Sequence, residues 1–584
     1  MIVYDDLSLY IALLYANKKS KFKLKSNGYT RFGWCIYMNF KRKLWWAQHK
    51  NEVYKYGIIL SLVLIVTISI IYFTYSKFSS SNEATMYETT VEPFIKNDYF
   101  IASYIDGEWS NKIPGKNDGY VVDKIVCDNG ATGTWNYSKW SIEIENATKK
   151  IKCGVYFITG SLIDVKLYQG LIPVTYNSSG DVVVADANTK WYDYSNHEWA
   201  NAVLVNCADS AIKSKYFNED MSLKSSAVGK IISKDEILQM YVYIPRYRYK
   251  LFNANNGTSE EQAVDIIFEK VGTEKSNGTK NGKWLTHPAF TFGNTELPGF
   301  WAAKFEASGS TDNYQIKPNQ KSLTSINLAT MYNTSRSTAI NVLKYGLNAQ
   351  SIDTHMMKNM EWGAIAFLTN SIYGRYNDAS TCIASGCEVW INNINTGYGN
   401  GTAVDGQVQW GPSITGCAGS SVSAGVSSSQ TACASGYDWK TKGVNASTTG
   451  NQYGIYDMSG GAWEYVMGVQ KDSSGNVQVG NSGFSTSSLP DSKYYDLYDY
   501  QAEDGVGYTR YHLGDATREV LKDTSSQGRK AWWNDYAYNI YSSAPWVNRG
   551  GDYHSGTLAG VFDFNSTHAG GWTDHSFRSV LSAG

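Results

Sequence analysis

Residues 451–466 read NQYGIYDMSGGAWEYV, and the fold of the chain turns on how this stretch is read. Gly454, Gly460 and Gly461 mark places where the backbone turns sharply or passes a neighbour too closely for a Cβ. Met458 and Trp463 are large apolar groups expected to fill the space beneath those turns. Asp457 and Glu464, with Arg549 and Arg578 further along, are charges in an aromatic setting, where a charge is stable only if paired or hydrogen-bonded. Asp457, Trp463, Glu464, Arg549, Gly550, Gly551, Phe577 and Arg578 are therefore expected to build the frame of a domain rather than to react.

Working outward, Met240–Phe252 (MYVYIPRYRYKLF) alternates apolar and basic residues at period two, which predicts a strand with one buried and one solvated face. Phe300–Glu306 reads as a second strand. His355–Leu368 places Met356, Met360, Ala364 and Phe367 on one side of an amphipathic helix. Residues 375–450 are rich in Gly, Ser, Asn and Thr and carry four cysteines, an elaborate loop region.

The stretch 451–466 resembles the N-x-x-G-L-Y-D-M-x-G-N-x-W-E-W core of the formylglycine-generating enzyme (sulfatase-modifying factor) family. Arg549-Gly550-Gly551 and Phe577-Arg578 resemble the family's R-G-G and G-F-R signatures, with Ser576 where the second has Gly. Tyr243-Ile244-Pro245 and Phe300–Glu306 resemble its opening strands, so the resemblance spans roughly residues 237–581. It implies a C-type-lectin-related fold with much irregular structure over 237–584. The family's oxidases use a copper-binding cysteine pair near the carboxy terminus, but here the last cysteine is Cys433, so no catalytic residue and no enzyme activity are expected. Gly461 stands where the family carries an Asn at a calcium site, which removes a side-chain oxygen; no cofactor is expected, calcium being the one the family would suggest.

The terminal segment Arg549–Leu581 sets Gly, Ala and apolar residues against Asp552, Tyr553, His554, Ser555, Thr557, Asp563, Asn565, Thr567, His568, Trp572, Asp574 and His575. Tyr and Trp give rigid contact area, and Ser, Asn, Asp and His give adaptable hydrogen bonds, so these twelve are the expected ligand-binding residues. The bland alternative is a polar surface loop. The segment also resembles the variable region of target proteins of diversity-generating retroelements, in which adenine mutagenesis turns Asn codons into codons for Asp, Tyr, His, Ser, Thr or Gly.

Toward the amino terminus, Gly57–Tyr75 (GIILSLVLIVTISIIYFTY) runs without a charge, long enough for a helix to cross a hydrocarbon layer of about 30 Å. Lys41, Arg42, Lys43, Lys50 and Lys55 precede it and Glu83, Glu88 and Glu92 follow, which orients the amino terminus inward. The expected fold class is thus α+β with a single N-terminal transmembrane helix, a small antiparallel β spacer and the lectin-like domain. The expected organisation is a cytoplasmic juxtamembrane segment at 1–55, the membrane helix at 56–76, a stalk at 77–98, a small β domain at 99–175, a linker or irregular region at 176–236, and the main domain at 237–584.

A formal net charge of -1 and a pI near 6.7 supply no field for nucleic acid, and none is expected as a partner. Among the cysteines, proximity favours Cys127 with Cys153, Cys382 with Cys387 and Cys417 with Cys433, leaving Cys207 over; free buried thiols are the alternative. The histidines show no HExxH or equivalent metal spacing, and there is no GxSxG elbow or P-loop. The sequence therefore leads to the expectation of a single-pass cell-membrane protein, carboxy-terminal domain outside, that binds a protein or glycan on a foreign surface, a retroelement-diversified receptor or adhesin. The competing expectations are a metal-dependent enzyme of the same superfamily, with metal held by the terminal histidines, and a non-diversified carbohydrate-binding or structural surface protein.

Overall fold

The computed structural model divides the chain into two compact units, Met1–Glu92 and Pro93–Gly584. The residues described lie in the second, from 99 to 584 except 106, 111, 115–119, 137–139, 146–150, 160–162, 164, 190, 273–274, 349, 377–388, 390–412, 418–432, 434–437, 504–506, 526–528, 554 and 556–557. The expectation of a membrane-crossing helix and a single-pass location is corrected here. Among the described residues no helix is long and apolar enough to cross a membrane. The segment 56–76 that prompted the expectation lies outside the described residues, as do 1–55 and 77–98. The described residues carry many strands and few helices.

Residues 99–159 form an antiparallel sheet in the order Glu108–Trp109, Tyr99–Ile105, Lys152–Thr159, Tyr120–Cys127. A hairpin of Thr132–Asn136 and Ser141–Glu145 accompanies it. Its own small core gathers Trp109, Trp135 and Trp140 around the buried Phe157 ring, with Trp135 edge-on at 5.2 Å. Cys127 and Cys153 sit opposite each other across two strands and are disulfide-bonded, as are Cys417 and Cys433. Cys207 is buried and unpaired, and Cys382 and Cys387 lie outside the described residues.

The main sheet is built from β1 (Ile172–Tyr176), β2 (Val182–Val184), β3 (Asn201–Val205), β4 (Ile237–Pro245), β5 (Gly299–Ala303) and β6 (Ile352–Met356), joined by a carboxy-terminal strand. A second sheet comprises β7 (Trp463–Gln470), β8 (Asp496–Tyr498), β9 (Trp546–Arg549), β10 (Phe564–Thr567) and β11 (His575–Phe577), and the chain closes on β12 (Ser579–Ala583). The first runs β6-β12-β5-β4-β3-β1-β2 with every pairing antiparallel. In the second, β7 pairs antiparallel with β9, which pairs with β10, while β8 and β11 lie parallel to successive halves of β7. The main domain thus begins near Ile172, and residues 172–236, expected as spacer and linker, supply three strands of its sheet.

All nine residues of β4 are buried, so the solvated face expected of Met240–Phe252 does not exist along it. Its apolar and tyrosine residues are covered on both faces, and the alternation survives only in Tyr247–Lys250 beyond it. The expected helix at His355–Leu368 is a strand through Met356 and then α2 (Asn359–Thr369), buried on all sides, as suits a short helix apolar all round. The Glu361 carboxylate accepts the Lys358 amide (2.8 Å) at its start. An earlier helix, α1 (Leu328–Ile340), is capped by Asn327, whose Oδ1 accepts from the Thr330 amide (3.0 Å).

Candidate ligand-binding face

The stretch 451–466 crosses the base of the second sheet and gathers the charges that its sequence sets among aromatics. Arg578, fully buried, donates through Nη2 and Nε to Glu464 (2.5 and 3.1 Å) and through its remaining donors to the carbonyls of Ala303 (2.7 Å) and Tyr456 (2.9 Å). Asp457, at φ +63°, receives the Gly416 amide on both oxygens at 2.9 Å. Glu306 accepts from the Ala462 amide (2.8 Å) and from the hydroxyls of Ser322 and Ser413. Burial lifts the Glu464 carboxyl to about 7 against the pull of Arg578, and lifts Glu306 well above its ordinary range, the charges of Asp457 and Glu464 adding to the effect. Met458 fills the space beneath the turns, but Trp463 is only half-buried and lies at the face instead.

Arg549 is fully buried beneath the terminal segment, its guanidinium 5.6 Å from the Trp362 ring and 5.7 Å from that of Phe564, with Nη2 donating to the Ala516 carbonyl (3.2 Å). Burial pushes its pKa down to about 10, with Asp515 and Asp563 opposing. Gly550 and Gly551 follow at φ +86° and +72°; a Cβ on Gly551 would meet that of Ala559 at 2.6 Å. Phe577 is buried in the core.

Above this frame the segment 567–575 is held by its main chain. The carbonyls of alternate residues accept from the body of the domain: His568 from the Asn481 amide (3.0 Å), Gly570 from the Tyr465 hydroxyl (2.8 Å), Trp572 from the Ser325 amide (2.8 Å) and Asp574 from the Trp463 amide (2.8 Å). The Tyr553 amide donates likewise to the Gly461 carbonyl (2.8 Å). The exposed side chains of His568 and Trp572 are therefore not needed to fix it.

The twelve expected contact residues divide. Trp572, 51 % exposed, and His568 face solvent, and Ser555, Asn565, Asp574 and His575 are partly exposed. Asp552, Tyr553, Asp563 and Thr567 are buried, which corrects their assignment to a contact surface. Tyr553 packs inward, Thr567 accepts the Ala569 amide (3.1 Å), and Asp552 accepts from the Ser555 hydroxyl (2.7 Å). Asp563 is enclosed with no hydrogen-bond partner on either carboxylate oxygen, and burial, with Asp535 adding, holds its pKa well above the usual range. His554 and Thr557 lie outside the described residues.

The structure brings together Trp463, Asn548, Asn565, Asp574 and His575. His575 stacks near Trp463 (6.4 Å between centroids) and Tyr465 (4.7 Å), pairs through Nδ1 with Asp574 (2.7 Å), and accepts through Nε2 from the Asn548 amide (3.2 Å). An Nδ1-protonated imidazole satisfies both bonds. Asn548 and Asn565 are register partners of β9 and β10. Sequence reasoning missed Asn548, which is buried in β9 and supports His575 from beneath the face. It also missed Leu558, which is 40 % exposed.

The face offers an open indole, the Asn565 amide, a carboxylate and an imidazole, groups that stack on and hydrogen-bond to a ligand. Among the described residues no three of His, Cys, Asp and Glu are grouped to hold a metal ion. The sequence matches no protein-family model and no curated protein.

Proposed function

We propose that this chain is a ligand-binding protein whose carboxy-terminal domain, of the formylglycine-generating-enzyme-like, C-type-lectin type, recognises a protein or glycan on a foreign surface through residues of 549–581, and that this segment is diversified by a retroelement. The observation that supports it is the main-chain anchoring of residues 567–575. Alternate carbonyls tie the segment down while Trp572 and His568 point outward. A loop held by backbone bonds tolerates replacement of its exposed side chains, because the bonds that position it do not depend on which side chains are present. The contact set on this reading is Ser555, Asn565, His568, Trp572, Asp574 and His575, joined by Trp463 and Leu558 at its margin.

The decisive experiment compares the DNA encoding residues 549–581 with any near-copy elsewhere in the same genome. Differences confined to adenines, falling on the exposed positions, are expected. A copy differing at random bases, or at codons for buried residues such as Phe577 and Arg578, would refute the diversification.

A further inference from the structure

The side chains of Lys304 and Asn201 meet inside the domain. Asn201 is the first residue of β3, Lys304 directly follows β5, and β4 runs between them, with Val242 registering against both Asn201 and Ala302. Both side chains are sealed from solvent, at 1 % and 0 % exposure. Lys304 Nζ lies 2.8 Å from Asn201 Oδ1, and it is roofed by the rings of Tyr176, Trp439 and Tyr456 at 5.5–5.6 Å. Its other contacts are the carbonyls of Gln452 (2.7 Å) and Gly454 (2.8 Å). Among the described residues no carboxylate forms an ion pair with it.

We propose that Lys304 and Asn201 form an intramolecular isopeptide bond, joining Nζ to Cγ across the main sheet. Aminolysis of an amide needs an unprotonated amine, a polarised carbonyl and a fixed approach. Burial without a counter-charge pulls the Lys304 amine well below the ordinary lysine range, which favours the free base over the ammonium. The Tyr176 hydroxyl donates to the same Asn201 Oδ1 at 3.1 Å and so polarises the carbonyl and receives the developing oxyanion charge. Asn201 Nδ2 donates to the carbonyls of Trp199 (2.9 Å) and Tyr453 (2.8 Å), which lock the amide plane. The target carbon is one carbonyl bond, about 1.2 Å, from the oxygen to which Nζ donates, so attack needs only a short movement that exchanges this hydrogen bond for approach of the amine lone pair to Cγ.

The step balances without an outside reagent. The Nζ–Cγ bond forms, the Cγ–Nδ2 bond breaks, one amine proton passes to Nδ2, and ammonia leaves; nothing is oxidised or reduced. The product ties β3, and through it β1 and β2, covalently to the centre of the sheet. It also replaces a buried amine that has no carboxylate contact among the described residues by a neutral amide.

The test is the intact mass of the folded full-length chain after reduction and denaturation. A mass lower than that of the sequence by one ammonia is expected, together with a branched peptide in a protease digest that joins the Asn201 segment to Lys304. A folded chain of unshifted mass overturns the proposal and leaves Lys304 as an ammonium donating to three oxygens. So does an ammonia loss that persists in Lys304→Arg, since ring closure at a site such as Asn129-Gly130 gives the same shift. Tyr176→Phe, which keeps the ring and loses the hydroxyl, is expected to slow bond formation on the order of 100-fold. An unchanged rate in that variant overturns the assigned role of the hydroxyl.

Discussion

Arg578 and Glu464 form a fully buried ion pair, Nη2 to Oε1 at 2.5 Å and Nε to Oε2 at 3.1 Å, that fastens the link between β11 and β12 to β7. Because the same guanidinium also serves the carbonyls of Ala303, at the end of β5, and Tyr456, in the irregular stretch before β7, it ties the main sheet to that stretch as well. Removing one partner strands the other charge out of water, so Arg578→Met alone is expected to cost about 3–5 kcal/mol. Adding Glu464→Leu should recover part of that loss, leaving the two unmet carbonyls as a residual cost of about 1–3 kcal/mol each. Urea unfolding of the single and double variants measures the coupling; strictly additive effects would contradict the pair.

Glu519 is fully buried, accepting the Gly514 amide (2.6 Å) and the Tyr249 hydroxyl (3.0 Å). Burial lifts its pKa to about 8, the Gly514 amide opposing and the charge of Asp515 adding. A carboxyl raised in the folded state keeps its proton there at pH values where the unfolded chain has released it. Its stabilising contribution is complete below the ordinary carboxyl range and disappears as pH rises through about 8. Glu464, raised to about 7, acts with the same sign, whereas Asp353, held down at about 2, acts only in acid. Stability should therefore fall between about pH 5 and pH 9, by on the order of a few kcal/mol, and Glu519→Gln should flatten the profile. Denaturant titrations across that interval decide it, and a rise with pH would contradict the assignment.

The charges of the frame were legible because their chemistry demands partners wherever they sit: Asp457, Glu464 and Arg578 each found hydrogen bonds or a counter-ion. The strands β1 and β3 were not legible. Ile172–Tyr176 and Asn201–Val205 are five-residue runs buried almost throughout, so they show no alternation, and long polar stretches set them apart from the rest of the sheet. His355 and Met356 fit a helical stripe in sequence, yet the strand pairing with β12 takes them. In the terminal segment, composition identified contact-type residues but not their direction. Tyr553 and Asp563 turn inward because the main chain around them bonds to Gly461 and Gly550, which no count of residue types reveals.

Gly363 shows how a tertiary contact reverses a local rule. It sits within α2, where replacement by Ala ordinarily stabilises a helix by about 1 kcal/mol. Here a Cβ would press on the Gly514 carbonyl oxygen and lie 2.7 Å from the Asp515 Cα, both main-chain atoms with little room to yield. Gly363→Ala is expected to destabilise the domain by about 1–3 kcal/mol net, as overpacking does. A lowered thermal midpoint supports this contact, and a raised one would show that the helix and the Gly514 turn move apart freely.

Within the terminal segment, frame and face should respond differently to substitution. Trp572 and His568 are exposed and their main chain is held by Ser325 and Asn481, so Trp572→Ala and His568→Ala should each change stability by no more than about 0.5 kcal/mol. Tyr553 and Phe577 are buried, and Tyr553→Ala or Phe577→Ala should cost about 3–5 kcal/mol. Once a ligand is in hand, the ranking should invert: Trp572→Ala, as an aromatic anchor, should cost about 2 kcal/mol or more of binding. Unfolding and binding measured on the same four variants give the answer. If Trp572→Ala unfolds the domain, the segment is structure; if it leaves both stability and binding untouched, the contact surface lies elsewhere on the chain.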